Sequence, residues 1–147
     1  MSINHWIVKN LVCTLLLAVG GLNMYAQKDK YLIEAEAFQF KGKWSTDRSA
    51  DCMGSAMLRL NGGGSLDEQF DALTVVNIME EGDYNVWVRS ADYDKLPGTR
   101  LFRLSVDEKP MKESGKHGKV GFYWENAGCV QLAKKQVLLR LHDTKRN

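Results

Sequence analysis

Residues 136–143, QVLLRLHD, predict the fold class, because Val137, Leu139 and Leu141 are apolar at every second position and the even-numbered positions are polar except at Leu138. Successive side chains of a β-strand point to opposite faces, so this pattern predicts a strand with one buried face. We expect Val137, Leu139 and Leu141 to point into a core. The even-numbered residues, including His142, are expected to point outward.

The rest of the chain has the same character. Short runs of β-branched, aromatic and aliphatic residues are separated by turn-forming loops, and no run shows a helical stripe of three turns. The runs are residues 57–60, 72–78, 84–91, 100–107 and 129–133. Regular short strands with such loops predict an all-β chain, either a sandwich or a barrel.

Residues 84–91, YNVWVRSA, repeat the alternation. Tyr84, Val86 and Val88 are expected in the core, whereas Trp87 is expected on the outer face. Because Trp87 lies at mid-strand, we interpret it as a packing residue and not as a ligand-binding one.

The N-terminal residues 1–26 predict a secretory signal peptide. Lys9 precedes an apolar run at residues 11–22, and cleavage is expected after Ala26. The apolar run is shorter than the roughly 20 residues that a membrane-spanning helix needs. We therefore expect no membrane span, a secreted or periplasmic location, and a mature chain, residues 27–147, that forms one domain.

The charge balance limits the classes of partner. The chain carries 20 Lys and Arg residues against 18 Asp and Glu residues, a net charge of +2. This balance gives no reason to expect nucleic acid or an anionic membrane as a partner. Cys52 and Cys129 follow the predicted signal peptide, and an exported compartment would let them form a disulfide. The sequence leaves open whether they pair or are two separate buried thiols.

Residues 31–40, YLIEAEAFQF, also alternate and predict a first strand in which Glu34 and Glu36 share a face. Two such carboxylates are either solvated or hold a cation. Their Cα atoms would lie roughly 6.6–6.8 Å apart, close to the carboxylate spacing of inverting glycosidases. A glycosidase pair, however, flanks the scissile bond from opposite sides, whereas neighbours on one strand face point in parallel.

No catalytic motif accompanies these carboxylates. The sequence contains no nucleophile elbow, phosphate-binding glycine loop, histidine-rich zinc spacing or dinucleotide fingerprint. His117 is expected in a loop and His142 on a strand, so the two histidines do not form a metal pair. We therefore predict that the chain is not an enzyme.

Aromatic residues in predicted loops indicate a binding role instead. Sugar rings stack their apolar faces on aromatic rings, and their hydroxyls pair with polar side chains. The candidate ligand-binding residues are Trp44, Tyr93, Arg100, Tyr123, Trp124 and Asn126. Alternation lets only one of Tyr123 and Trp124 point outward, and the sequence leaves open which one.

The order of these segments resembles a known family. The segments follow one another as IEAE, a glycine-rich loop, ALTVVNI, EGDYNVWVRSA, RLFRLSVD, an aromatic loop and QVLLRLHD. This order resembles the secreted carbohydrate-binding modules of families 6 and 35, which are jelly-roll β-sandwiches of the galactose-binding type. The resemblance spans residues 31–143. It implies a secreted, non-catalytic carbohydrate-binding module, usually appended to a larger enzyme that acts on polysaccharides.

The same resemblance assigns roles to residues. In the family, carboxylates of the first strand bind a structural Ca²⁺, and Glu34 and Glu36 match them. A hard cation of this kind takes oxygen ligands at about 2.3–2.6 Å. The family's sugar-binding aromatics come from two loops, where Trp44 and either Tyr123 or Trp124 match them. The implied partners are a glycan and a catalytic domain that is missing from this chain.

The resemblance also points to an alternative and to a departure. Residues 71–125 are similar to the accessory domain at the start of some secreted, FAD-dependent oxidoreductases, which implies a structural domain that binds no glycan. The chain stops at LHDTKRN, where family members continue into a last strand that supplies an aspartate to the calcium and an asparagine to the sugar. We therefore expect a sandwich that lacks its last strand and is poorly stable alone.

Overall fold

A computed structural model describes residues 30–48, 56–60, 68–92 and 95–144. These residues form eight strands: β1 (Trp44–Arg48), β2 (Ala56–Leu60), β3 (Ala72–Asn77), β4 (Gly82–Ala91), β5 (Phe102–Val106), β6 (Lys109–Ser114), β7 (Phe122–Leu132) and β8 (Gln136–Asp143). Two 3₁₀ helices, Ala35–Ala37 and Glu68–Phe70, precede β1 and β3. The prediction of an all-β chain is confirmed.

Some predictions lie outside these residues. The signal peptide at residues 1–26, Cys52 and Tyr93 all fall there, so the cleavage site and the disulfide stay predictions. Cys129 is exposed on β7. In the part of the chain that the structure describes, no helix has the length and apolar character needed to cross a membrane.

The strands form three antiparallel sheets. One has four strands in the order β3-β8-β5-β6, and the other two are the pairs β4–β7 and β1–β2. β8 lies inside the four-stranded sheet, because Leu141 is opposite Ala72 of β3 on one side and opposite Leu104 of β5 on the other. β3 and β6 are the edge strands of that sheet.

A single hydrophobic cluster joins the sheets. It contains the three residues predicted to face inward on β8, and Val137 is completely buried. Val130 and Leu132 of β7 belong to the same cluster, and Trp44 and Leu58 pack against it from β1 and β2. Burying each side chain of this size contributes on the order of 1.5–3 kcal/mol, so this cluster is the main stabilising feature of the sandwich.

The predicted first strand at residues 31–40 is wrong. The N–H of Ala37 donates to the carbonyl of Glu34 at 3.0 Å, and the N–H of Phe38 donates to the carbonyl of Ala35 at 3.0 Å. These bonds close a 3₁₀ turn. Alanine and glutamate are good helix formers and are depleted in strands, so local propensity overrides the alternating pattern.

Two segments that were predicted as loops are strands. Trp44 begins β1, and most of the aromatic segment 121–128 belongs to β7. β6 was not expected either, because its sequence KPMKES contains a proline and three charged residues. Pro110 is tolerated there because β6 is an edge strand, where one side of the backbone needs no partner.

β7 contains a β-bulge at Ala127. Along β4, Val86 lies opposite Gly128, but the next residue, Trp87, lies opposite Asn126. Ala127 is therefore an extra residue in β7 with no counterpart in β4.

The bulge reverses the alternation of side chains along β7. After the bulge the even-numbered Val130 and Leu132 are buried. Before the bulge the even-numbered Trp124 and Asn126 are exposed, because each lies opposite an outward-facing residue of β4. The two halves of β7 therefore follow opposite patterns: Trp124 faces solvent although the even-numbered residues after the bulge are buried.

Candidate functional site

Four strand termini meet at one end of the sandwich, which we call the loop end. β4 ends there at Ala91, which pairs with Phe122 at the start of β7. β5 begins there at Phe102, which pairs with Ser114 at the end of β6. The segments that connect β4 to β5 and β6 to β7 therefore lie side by side. Arg100 is exposed in the first of these segments.

Glu125 anchors the loop end from beneath. It lies opposite Val88 on the inner side of the β4–β7 pair and is half-buried. One of its carboxylate oxygens, Oε2, accepts hydrogen bonds from Ser90 Oγ at 2.9 Å and from the N–H of Gly115 at 2.9 Å. Gly115 has a φ of +88°, and a Cβ at this position would lie 2.1 Å from the carbonyl oxygen of Arg100. Only glycine fits there.

Asp92 holds the two connecting segments together. Its carboxylate accepts the N–H of Gly98 at 3.1 Å and the N–H of Gly118 at 2.8 Å. Asp92 is buried, at 7% exposure. A buried carboxylate that accepts main-chain donors from both segments has a structural role, because those bonds compensate its desolvation.

His117 is engaged through both ring nitrogens. Nδ1 accepts the N–H of Lys119 at 3.1 Å, so Nε2 carries the proton and donates it to the carbonyl of Ser90 at 3.0 Å. The ring packs against Tyr123 with centroids 5.1 Å apart, and the Lys119 ammonium lies 4.7 Å from the centre of the Tyr123 ring. His117 therefore fixes the loop and is not arranged as a metal ligand.

The outer face of the β4–β7 pair carries two exposed tryptophans. Trp87 and Trp124 are 54% and 51% exposed. Trp87 lies opposite Asn126, and Arg89 lies opposite Trp124, so all four side chains share one face. We call these four residues the aromatic platform.

The charged and amide groups of the platform are oriented by local contacts. The guanidinium carbon of Arg89 lies 4.9 Å from the centre of the Phe122 ring. Asn126 Oδ1 accepts the N–H of Gly128 at 2.8 Å. Because the oxygen of the Asn126 amide faces the bulge, its NH₂ group is directed away from the backbone.

The structure separates the residues that the sequence predicted for one site. Trp124 and Asn126 lie together on the platform, whereas Tyr123 lies on the opposite side of β7 beside His117. Of the two adjacent aromatics, Trp124 is the one on the outer face, and Tyr123 is nevertheless 41% exposed because it stands at the loop end. Trp44 is half-buried and packs against the core.

Sequence reasoning missed Trp87 as a candidate. The alternation in β4 correctly placed it on the outer face, but its interpretation as a packing residue is wrong, because more than half of its surface is exposed. The alternation itself could have indicated exposure, because an outward-facing tryptophan in a strand is packed only if another layer covers that face. In the part of the chain that the structure describes, the core cluster lies on the other side of β4.

Glu34 and Glu36 do not share a face as expected. Glu34 is the exposed N-cap residue of the first 3₁₀ helix, and the half-buried Glu36 lies in its first turn. With three residues per turn, positions two apart point in different directions. Among the described residues no group of three or more His, Cys, Asp or Glu side chains is placed to hold a metal ion. The premise of a chelating strand is therefore wrong, and calcium stays a prediction.

A polar cluster around the buried Asp71 lies on the outer side of β8. Asp71, whose side chain is 2% exposed, contacts Arg140 Nη1 at 3.2 Å and His142 Nδ1 at 2.7 Å. Because an ionised carboxylate only accepts, His142 donates from Nδ1. This cluster joins the residue before β3 to β8 and gives Arg140 and His142 a carboxylate partner.

Comparisons with known proteins identify the fold. No protein-family model matches the chain, and no curated protein matches its sequence. The structure is similar to a family 35 carbohydrate binding module from Clostridium thermocellum, with a TM-score of 0.57 and 17% identity, over 75% of this chain and 84% of that one. It is also similar to a cycloisomaltooligosaccharide glucanotransferase from Paenibacillus sp. complexed with cycloisomaltoheptaose, with a TM-score of 0.53 and 19% identity. That similarity covers 78% of this chain and 16% of the glucanotransferase. The predicted β-sandwich of the carbohydrate-binding-module type is confirmed as a fold.

Proposed function

We propose that this chain is a non-catalytic carbohydrate-binding module that binds a glycan across the aromatic platform. The observation that carries the proposal is the pair of half-exposed tryptophans, Trp87 and Trp124, on one face of the β4–β7 pair. Large aromatic side chains exposed together on a monomer are uncommon and mark binding surfaces.

The geometry of the platform suits a chain of sugar rings. Trp87 lies directly opposite Asn126, and Trp124 lies two residues before Asn126 on the same strand. The two tryptophans are therefore diagonal neighbours, roughly 7–8 Å apart at the backbone. Two indole rings at this spacing offer a continuous apolar strip on which consecutive sugar rings can stack. Arg89 and Asn126 border the strip with hydrogen-bond donors for sugar hydroxyls.

The site extends in our proposal toward the loop end. Tyr123 and Arg100 are exposed there and are proposed to contact the glycan beyond the tryptophans. Tyr93, which lies outside the described residues, stays a predicted contact. Trp44 is assigned to support of the fold because it is half-buried against the core.

The carboxylates near the site support the non-catalytic character in our proposal. Asp92 and Glu125 accept main-chain and hydroxyl hydrogen bonds that hold the loops, and neither projects onto the platform. Glu34 and Glu36 point in different directions. We propose that the module recognises a polysaccharide for a catalytic domain outside this chain, in a secreted or periplasmic setting.

The test is affinity electrophoresis of the protein through gels that contain plant or microbial polysaccharides. We expect at least one polysaccharide to retard the protein, and Trp87→Ala and Trp124→Ala to weaken retardation by about tenfold or more in affinity. Phe40→Ala is the matched control, since Phe40 is 53% exposed but lies beside β3, and it should bind as the unmodified protein does.

Two outcomes would overturn the proposal. Retention of full affinity by both tryptophan variants would move the site away from the platform. Failure of every polysaccharide in a broad panel to retard the unmodified protein would favour the alternative, a structural accessory domain of a secreted enzyme.

A further inference from the structure

β3 has one paired side and one open side. On one side it pairs with β8 along its whole length, from Ala72 to Asn77. On the other side a single bridge joins Leu73 to Phe40, with the two N–H groups donating at 2.7 and 3.0 Å. Since the main-chain groups of alternate residues point to the same edge, those of Val75 and Asn77 point to the open side together with those of Leu73.

The open side of β3 carries main-chain N–H and C=O groups that have no main-chain partner among the described residues. Within the part of the chain that the structure describes, no main-chain hydrogen bond joins Val75 or Asn77 to a segment on that side. Residues 31–40 contact this side of β3 at two points, where Phe40 pairs with Leu73 and where the N–H of Met79 donates to the Tyr31 hydroxyl at 2.7 Å, and the 3₁₀ turn at Ala35–Ala37 lies between these points. Two donors and two acceptors are thus presented in a row, two residues apart.

A groove runs along this row. Its volume is about 530 Å³, and it lies between the segment around the 3₁₀ turn and β3. The groove is lined by residues 32–34 and 37–38 on one side and by residues 74–76 of β3 on the other. Leu32, Ile33 and Val75 are 69%, 39% and 41% exposed, so apolar surface faces the open space. Glu34 is the one charged residue among those that line it.

The residues of β3 itself carry none of the usual protections against pairing. Natural edge strands carry lysines, prolines or bulges that prevent a second chain from adding a strand. β3 has the sequence ALTVVN, with no charge and no proline, and its register with β8 is regular. The opposite edge strand, β6, differs in having two lysines and a proline.

From these observations we propose that the open edge of β3 binds an extended β-strand segment of a partner polypeptide. Donors and acceptors spaced by two residues match an extended main chain and no other common backbone conformation. The lining selects for apolar residues at alternate positions of the partner, and Glu34 selects for a lysine or arginine beside them. This inference does not depend on glycan binding, since the groove and the aromatic platform belong to different sheets.

The test uses a synthetic peptide that alternates valine and threonine and carries one terminal arginine. Amide hydrogen exchange of the isotope-labelled protein is followed by NMR with and without the peptide at millimolar concentration. We expect exchange at Val75 and Asn77 to slow by about tenfold or more. The amides of Thr74 and Val76 point toward β8 and should not change.

Two controls fix the mode of binding. A fully N-methylated peptide of the same sequence cannot donate to the carbonyls of Val75 and Asn77, and its methyl groups keep its main chain from approaching the edge closely, so it should give no protection. Val75→Lys adds a charge at an exposed edge position and should abolish binding, whereas Val75→Thr keeps an uncharged, β-branched residue and should preserve it.

Three results would overturn the proposal. One is unchanged exchange at Val75 and Asn77 at every peptide concentration. Another is equal protection by the N-methylated peptide. The third is protection that rises with protein concentration in the absence of peptide, which would assign the edge to pairing between two copies of this chain.

Discussion

The outer face of the four-stranded sheet and the outer face of the β4–β7 pair belong to the same sandwich but treat their side chains differently. On the first face, Arg140 and His142 are both held by the buried carboxylate of Asp71. On the second face, Trp87 and Trp124 are each about half exposed. Polar groups that are satisfied within the fold stabilise it, whereas the exposed aromatic rings of the second face are the surface on which we propose that a ligand binds.

The largest expected effect comes from removing Asp71. Asp71→Ala leaves Arg140 and His142 partly buried without their carboxylate, and we expect the free energy of unfolding to fall by about 3 kcal/mol. Urea denaturation of the variant measures this loss. Glu113→Ala is the control, because Glu113 lies 3.9 Å from Arg103 and both are exposed, so its effect should stay within about 0.5 kcal/mol. Equal losses in the two variants would contradict the comparison.

The next effect is the converse, a change in binding without a change in stability. Trp124→Ala should alter the free energy of unfolding by only about 0.5 kcal/mol, because the ring is half exposed. If Trp87 and Trp124 contact the same ligand, the double variant should lose less affinity than the sum of the two single losses, with a coupling of about 0.5 kcal/mol or more. Isothermal titration with a retarding glycan, alongside urea denaturation, gives both quantities. Strictly additive losses of affinity would show that the two tryptophans act independently.

A smaller effect is expected from calcium. Ca²⁺ takes six to eight oxygen ligands, and Glu34 and Glu36 diverge on a 3₁₀ turn. We therefore expect weak binding, with a stabilisation of about 0.4 kcal/mol when the calcium concentration equals the Kd. Thermal melting in calcium and in chelator measures it, with the double change Glu34→Gln and Glu36→Gln as control. A melting temperature that rises by many degrees in calcium would mean that further ligands join these two.

The smallest expected effect concerns the ion pair of Asp47 with Arg59. Asp47 and Asp71 each pair with an arginine at similar distance, so a comparison of the two shows what burial of the carboxylate adds. Arg59 Nη1 lies 3.0 Å from Asp47 Oδ2, but the Asp47 side chain is 42% exposed. The hydrogen bond from Arg59, followed by that from the Arg48 N–H, lowers the pKa of Asp47 below its ordinary value of 3.8. The stability that this ionised carboxylate contributes is present above the ordinary pKa and is lost as the pH falls through the lowered one.

An NMR titration of the Asp47 carboxyl carbon tests this expectation. In the unmodified protein its midpoint should lie below 3.8, and in Arg59→Gln it should move back toward that value. Because both partners are exposed to solvent, the shift should shrink at high salt. A midpoint unaffected by Arg59→Gln would show that the ion pair does not persist in solution.

The strands with the clearest alternation could be predicted from the sequence. β8, β3 and β4 each bury one face in a common core, and an apolar residue at every second position is the direct result. The residues around Glu34 show how this reading fails: the alternation was present, but alanine and glutamate favour a helical turn. A period of two therefore needs strand-forming residue types to be decisive.

The site was harder to predict than the fold. Trp124 and Asn126 were predicted as binding residues of a loop, because the glycine and asparagine around them favour turns, whereas both lie in β7. Trp87 was placed on the correct face but was assigned to packing. Which faces of a sheet remain uncovered depends on how the sheets stack, and this is a property of the whole chain that no local pattern contains.

The bulge at Ala127 divides β7 into two halves in which opposite sets of positions, odd-numbered or even-numbered, face the interior. Before it, odd-numbered positions such as Glu125 face the interior, whereas after it the even-numbered Val130 and Leu132 do so. Removal of Ala127 would make β7 a regular strand and would leave each half with the same residues facing the interior, because Asn126 and Gly128 already lie opposite consecutive residues of β4. A residue inserted between Trp124 and Asn126 would instead exchange the faces of everything before it. The exposure of Trp124 thus depends on the number of residues between it and the paired part of β7, and not only on the tryptophan itself.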